Sequence, residues 1–173
     1  SQVVKTHSPE LYAHADKEGR HNIKRDVLNL MEASFDTRAD GDSQFLDIGC
    51  GVGAFTKSEL LPRSLPCRRI VAADVSEDML NYAKKHSSHP KIIYDLLDIG
   101  ADVSEFVDKY GQFDRVYSFS CLNWTDQEVA FKNISKLLTP GGECLVFYPA
   151  RAPFLDWLLE VVRLQRWRSY SEV

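Results

Sequence analysis

Residues 45–53 read Phe45-Leu46-Asp47-Ile48-Gly49-Cys50-Gly51-Val52-Gly53. An apolar run carries an acid and then breaks into three glycines at alternate positions. Such a run predicts a buried strand that ends, turns sharply and hands over to a helix. Without a Cβ, the turn lets a ligand lie almost against the backbone. Two more acids follow the same habit. Asp74 ends the apolar stretch 69–73, and Asp98 follows Leu96-Leu97. Three carboxylates at three neighbouring strand ends suit a nucleoside rather than a phosphate.

Outward from this stretch, strand and helix patterns alternate. Ser8-Pro9 reads as a helix start, a hydroxyl cap followed by proline in the first turn. Leu11 and then Ile23, Val27, Leu28, Leu30 and Met31 keep helical spacing, in two pieces broken near Gly19. After a polar loop over 37–43, the spacing predicts strands over 44–48, 69–73, 91–94, 113–119 and 143–147. Helices are expected over 54–61, closed by Pro62, and over 77–86, 102–110, 126–138 and 154–167. Thr139-Pro140-Gly141-Gly142 is expected to end the helix that precedes the last strand. Continuously apolar strands separated by helices predict a single-domain α/β fold, a Rossmann-like and mostly parallel sheet with helices on both faces. Residues 1–40 read as an N-terminal helical lid, 41–150 as a cofactor-binding core and 151–173 as a C-terminal helix. Ligands on such a sheet bind at the carboxyl ends of the strands.

The 173 residues suffice for one domain with its own core. The net charge of -4 argues against a general attraction for nucleic acid or an anionic membrane. No apolar stretch is long enough to span a bilayer. Cysteines 50, 67, 121 and 144 are not paired at metal-ligand spacing, and three lie in or beside strands, where a reduced thiol packs as a small apolar group. This reads as a reducing, cytoplasmic compartment and no metal site. His7, His14, His21, His86 and His89 read as surface histidines. Trp157 and Trp167 read as part of a packing stripe, and Arg151, Arg163, Arg166 and Arg168 as a solvated basic face.

Taken alone, Gly49-x-Gly51-x-x-Ala54 also fits the loose dinucleotide fingerprint, with Asp74 on a ribose diol, so the loop by itself leaves an NAD-dependent oxidoreductase open. The acids tip the balance. Asp47, two residues ahead of the first glycine, suits a cationic or hydroxyl-bearing ligand better than a pyrophosphate. Asp74 is placed to accept two hydrogen bonds from ribose hydroxyls. Asp98 is placed to accept from an exocyclic adenine amine, with Ile99 covering the ring. Adenosine with a positive centre describes S-adenosyl-L-methionine.

In sequence order, FLDIGCGVGAFT (45–56), VAADVSEDML (71–80), LLDIG (96–100), FDRVYSFSCLNW (113–124) and LLTPGGECLVFY (137–148) resemble a class I S-adenosylmethionine-dependent methyltransferase. The last two, with ARAPFLDWL (150–158), are similar to the arthropod juvenile hormone acid methyltransferase group, which methylates the carboxylate of farnesoic acid or juvenile hormone acid. The resemblance implies that Asp47, Gly49, Gly51 and Gly53 hold the methionine end. It implies that Asp74, with Val75 beside it, binds the ribose, that Asp98 and Ile99 hold the adenine, and that Ser118 completes the cofactor set. It points the indole N–H of Trp124 at the substrate carboxylate; Asn123 and Trp124 are the catalytic candidates and Tyr12, Asn22 and Trp124 the substrate-binding ones, with Tyr12 placed either to cover the cofactor or simply to pack. Two positions depart from that group. Asn123 stands where it usually has histidine, and Ile23 stands where a glutamine usually precedes the Arg/Lys-Arg-Asp run, leaving Asn22 as the nearest amide. The antiparallel pair that such sheets usually add after the fifth strand has no counterpart here, so a sheet truncated after that strand and its following helix is expected. The implied partner is a small apolar carboxylic acid. No Asn/Asp-Pro-Pro-aromatic motif stands at 118–121, so DNA base methylation is not expected. Methyl transfer to another small molecule, or cofactor binding without turnover, are the alternatives.

Overall fold

The computed structural model describes residues 8–15, 21–36 and 38–148; the expected helix over 154–167 and its tryptophan and arginine stripes lie outside them. Five strands form one parallel sheet. They are β1 (Gln44–Ile48), β2 (Arg69–Asp74), β3 (Ile92–Leu96), β4 (Phe113–Phe119) and β5 (Leu138–Phe147), in the order β3-β2-β1-β4-β5. Helices α1 (Pro9–Ala15) and α2 (His21–Met31) precede the sheet. Helices α3 (Leu61–Ser64), α4 (Glu77–His86), α5 (Ser104–Tyr110) and α6 (Gln127–Leu137) fill the crossovers.

Alternation along the strands sorts the side chains into two cores. Phe45, Ile70, Ala72 and Tyr117 pack with Leu28 of α2, Leu60 and Leu80 of α4. Leu46, Ile48, Val71, Ala73 and Val116 pack with Phe106 of α5 and Ile134 of α6 on the other face. These cores hold the helices in place: α5 has seven residues, too few to persist alone in water. Side chains set the helix starts. Ser76 accepts from the Met79 N–H to open α4, and Asp126 accepts from the Val129 N–H to open α6.

Three boundaries differ from the sequence reading. Pro62 does not close the first crossover helix. A π-helical turn over Thr56–Leu60 runs into α3, where Pro62 occupies the first turn and its missing N–H costs little. The third strand runs from Ile92 to Leu96 rather than over 91–94, because its pairing with β2 continues to Asp74↔Leu96. The Thr139–Gly142 stretch belongs to β5 and is not a separate turn. It bulges: β4 advances from Phe113 to Arg115 while β5 advances from Leu138 to Glu143.

β1 pairs with β2 on one side and with β4 on the other. The chain therefore leaves β1 toward one edge and later returns to its opposite flank. The connections diverge there, which opens a crevice at the carboxyl ends of β1 and β4. Among the described residues, no helix is long and apolar enough to cross a membrane.

Candidate cofactor and active site

The loop that leaves β1 turns back on itself by means of three left-handed glycines, Gly49 (φ 78°), Gly51 (φ 55°) and Gly53 (φ 72°). Its start is tied to the neighbouring strand, since the N–H groups of Gly49 and Cys50 both donate to the Ala73 carbonyl, at 2.8 and 3.0 Å. The packing is as tight as the backbone is bent. A Cβ on Gly49 would stand 2.6 Å from Cys121 Sγ, and one on Gly53 would stand 2.7 Å from Tyr94 Cε1. Over the top of the loop lies Tyr12 of α1, whose Cε1 would be 3.2 Å from a Cβ on Gly51.

Asp47 shares a strand face with Phe45, so it points toward α2 and the helical segment 54–64. It is 3% exposed, and its Oδ2 accepts from the Thr56 hydroxyl at 2.6 Å. Burial pushes its carboxyl up to about 6, against the Thr56 hydrogen bond and the nearby Lys24 ammonium; the Asp74 charge adds to the rise. Asp74 closes β2 and holds the loop with both oxygens. Oδ2 accepts from the Gly51 N–H at 2.8 Å and Oδ1 from the Ser76 N–H at 2.9 Å. A carboxylate has about four lone-pair positions, so accepting capacity remains for a ligand. Asp98 is exposed and accepts from the Gly100 N–H at 2.9 Å.

Burial pushes Cys121 up to about 12, and Asp74, Asp47 and Asp98 all act on it in the same direction. The ends of β1, β2 and β4 meet at the glycine loop, where Asp74 accepts from the Gly51 N–H and a Cβ on Gly49 would stand 2.6 Å from Cys121 Sγ. Cys121 follows Ser120 (φ 59°), the one non-glycine in the left-handed region among the described residues, which swings the chain out of β4. A short 3-10 turn, Leu122–Trp124, comes next, with Asn123 exposed and Trp124 83% exposed. This turn abuts the loop after β3, since a Cβ on Gly100 would lie 2.7 Å from Thr125 Oγ1.

The remaining candidates are spread around this crevice. Ser118 is buried and donates to the Ile48 carbonyl, tying β4 to the end of β1. Val75 is 46% exposed beside Asp74. The Ile99 side chain lies in the α5–α6 core. Asn22 is exposed on α2, and its Oδ1 accepts from Arg25 at 3.4 Å; among the described residues no hydrogen bond joins it to the glycine loop. Four neighbours escaped the sequence reading as parts of the site. They are Lys24, Thr56, Cys121 and Asn133. Of these, only Asn133 left a trace in sequence, as a polar residue on the buried face of α6. Its amide donates to the carbonyls of Ile99 and Ala101, at 2.9 and 2.7 Å, and so holds the Asp98 loop.

The residue set fits an adenosyl sulfonium. A side-chain-free bend, a carboxylate with spare lone pairs and a buried acid that gains from a cation are the complementary parts. A pyrophosphate would instead meet Asp47 and Asp74 as like charges. The comparisons agree with that chemistry. Residues 46–146 match the methyltransferase domain family. The chain is 34% identical over 155 residues to juvenile hormone acid O-methyltransferase of Bombyx mori, covering 86% of this chain and 54% of that protein. It is 33% identical over 167 residues to the Drosophila melanogaster protein of the same name, covering 94% of this chain and 55% of that one. Among solved structures, a putative S-adenosylmethionine-dependent methyltransferase from Methanococcus maripaludis superposes with a TM-score of 0.65 at 20% identity, over 94% of this chain and 73% of that one. The strand order and the superposition thus define a Rossmann-like fold of the kind found in methyltransferases. The chain belongs to the methyltransferase domain family, and it spans about half the length of the curated relatives it matches.

Proposed function

We propose that this chain is the donor-binding part of an enzyme that transfers a methyl group from S-adenosyl-L-methionine to the carboxylate of a small apolar acid of the farnesoic or juvenile hormone acid type. The observation that carries the reading is Trp124, a donor-only side chain 83% exposed at the crevice between β1 and β4, in a chain similar over most of its length to two acid O-methyltransferases.

When bound, the cofactor supplies an already activated methyl group. The protein's task is to align, shield and avoid side reactions. Asp47, Gly49, Gly51 and Gly53 receive the amino-acid end. Asp74 and Val75 receive the ribose and Asp98 the adenine edge; Ile99, expected to cover the ring, is instead packed in the core with its side chain 4% exposed, and Ser118 keeps the ends of β1 and β4 together. Tyr12 covers the loop from above. Trp124 and Asn123 offer N–H donors to the acceptor, and Asn22 borders the lid. A carboxylic acid is ionised at neutral pH, so its oxygen attacks without a general base, and none is required of these residues. Two thiols stand close to the loop. Burial and neighbouring carboxylates raise both Cys50 and Cys121, which keeps them neutral and removes them as competing nucleophiles.

The test is incubation with labelled S-adenosyl-L-methionine and a panel of terpenoid acids, fatty acids, phenols and amines. Label in the acids alone supports the reading. Label confined to phenols or amines overturns the substrate class, and cofactor binding with no transfer to any member favours a binding domain without turnover.

A further inference from the structure

Val52 and Gly53, the second half of the glycine loop, are braced by a chain of hydrogen bonds that begins on another strand. The Tyr94 hydroxyl of β3 donates to the Ser87 carbonyl at 2.8 Å, and the Ser87 hydroxyl donates to the Val52 carbonyl at 2.9 Å. Ser87 caps the C-terminal end of α4, where its own N–H donates to the Ala83 carbonyl at 2.8 Å. The Tyr94 ring also lies against Gly53, with Cε1 2.7 Å from where a Cβ would stand. The first half of the loop is fixed differently, through Ala73 and Asp74 at the end of β2. β2 and β3 thus hold one bend at two points, and α4 carries the second link.

Ser87 and Tyr94 are both buried. Burying a hydroxyl is costly unless it is hydrogen-bonded, and alanine and phenylalanine would fill the same places without that cost. Packing alone therefore does not account for a serine and a tyrosine here, whereas the bonds do. The Val52 carbonyl receives the donor that a buried acceptor needs, and the bend is tied to the core that holds Tyr94, Leu80 and Leu28. A loop that receives a ligand through its backbone binds best when that backbone is in place beforehand. On the cofactor reading above, on which this rests, we propose that Tyr94 and Ser87 are positioning residues for S-adenosyl-L-methionine. They hold Val52-Gly53 where the loop accepts the ligand, and touch no part of it themselves.

Equilibrium titration with S-adenosyl-L-homocysteine tests this, with unfolding followed on the same preparations. Ser87→Ala should weaken binding by about tenfold. Tyr94→Phe, which keeps the ring against Gly53 and removes only the donor, should weaken it by about three- to tenfold. Ser64→Ala is the control. It removes another buried hydroxyl, one that donates to the Leu60 carbonyl at 2.8 Å outside the loop. It should lose comparable stability and keep its affinity within about twofold. The double variant should bind no more weakly than Ser87→Ala alone, because the Tyr94 hydroxyl reaches the loop only through Ser87. Unchanged affinity in both single variants overturns the proposal. So do losses that multiply in the double variant, or a Ser64→Ala loss equal to that of Ser87→Ala. Should Ser87→Ala not fold, Tyr94→Phe against the control decides by itself. Wild-type protein that binds no S-adenosyl-L-homocysteine sinks the cofactor reading itself, a distinguishable failure.

Discussion

Asp47 is held at 3% exposure with Thr56 as its hydrogen-bond donor, and this environment has a pH signature. Its carboxyl is raised from 3.8 to about 6, so between those values the folded chain binds more protons than the unfolded one. Its contribution therefore lowers stability as pH rises across that window, and the penalty is complete above it. Asp47→Asn should flatten that slope and raise stability at pH 8 by about 1–2 kcal/mol, read by chemical denaturation. Affinity for S-adenosyl-L-homocysteine should move the other way in the wild type, tightening as pH rises through about 6, since the ionised acid is the form that takes a cation. The glycines give a second residue-scale expectation. Gly49→Ala combines a left-handed backbone with a clash against Cys121 and should cost about 2–4 kcal/mol, whereas Gly41, with nothing within 4 Å of an added Cβ, should tolerate alanine. Thermal unfolding of the pair separates them. The spacing of Asp47 and the glycines was readable in sequence because the turn is local. Thr56, Cys121 and Lys24 were not, because their nearness depends on how separate elements meet.

Elements carry the site as much as single groups do. The loop bearing Asp98 is secured by a helix 32 residues further on, where the Asn133 amide reaches the Ala101 carbonyl. Asn133→Ala leaves two inward-facing carbonyls without their donor. Stability should fall by about 1–3 kcal/mol, and adenosine binding should weaken although Asn133 stands behind the loop rather than at its surface. Denaturant titration and calorimetry on the same preparation check both parts. Periodicity was enough to find all five strands and helices α4, α5 and α6. It failed at ends decided by pairing or packing. β3 extends as far as β2 offers partners, and the Thr139–Gly142 stretch is drawn into β5 as a bulge. The π-helical turn left no mark in the apolar pattern either. It turns Thr56 onto Asp47, and only the folded backbone reveals it.

On the scale of the whole chain, the crevice is assembled from every strand end between β1 and β4. A ligand that fits it cross-braces the sheet and should stabilise the fold cooperatively. S-adenosyl-L-homocysteine at about 100 times its dissociation constant should add about 2.7 kcal/mol, seen as a concentration-dependent rise in the unfolding midpoint, and NAD at the same concentration should give none. A shift with NAD alone would return the glycine loop to the dinucleotide reading. The parallel class of the sheet was legible from its continuous apolar strands. Its order, β3-β2-β1-β4-β5, was not, because a periodic pattern names a strand without naming its neighbours.

The pairing of Arg25 and Arg63 around Glu59 sets a rule for recombination. Glu59 is 7% exposed and draws its counter-charges from two separate stretches of chain, one in α2 and one in α3. Grafting residues 21–31 from a relative into this scaffold would leave Glu59 with Arg63 as its one remaining counter-charge unless a cation stands at position 25 of the graft. The N-terminal helix and the first crossover form one exchangeable module, and chimeras cut between them should express poorly even when each half is sound.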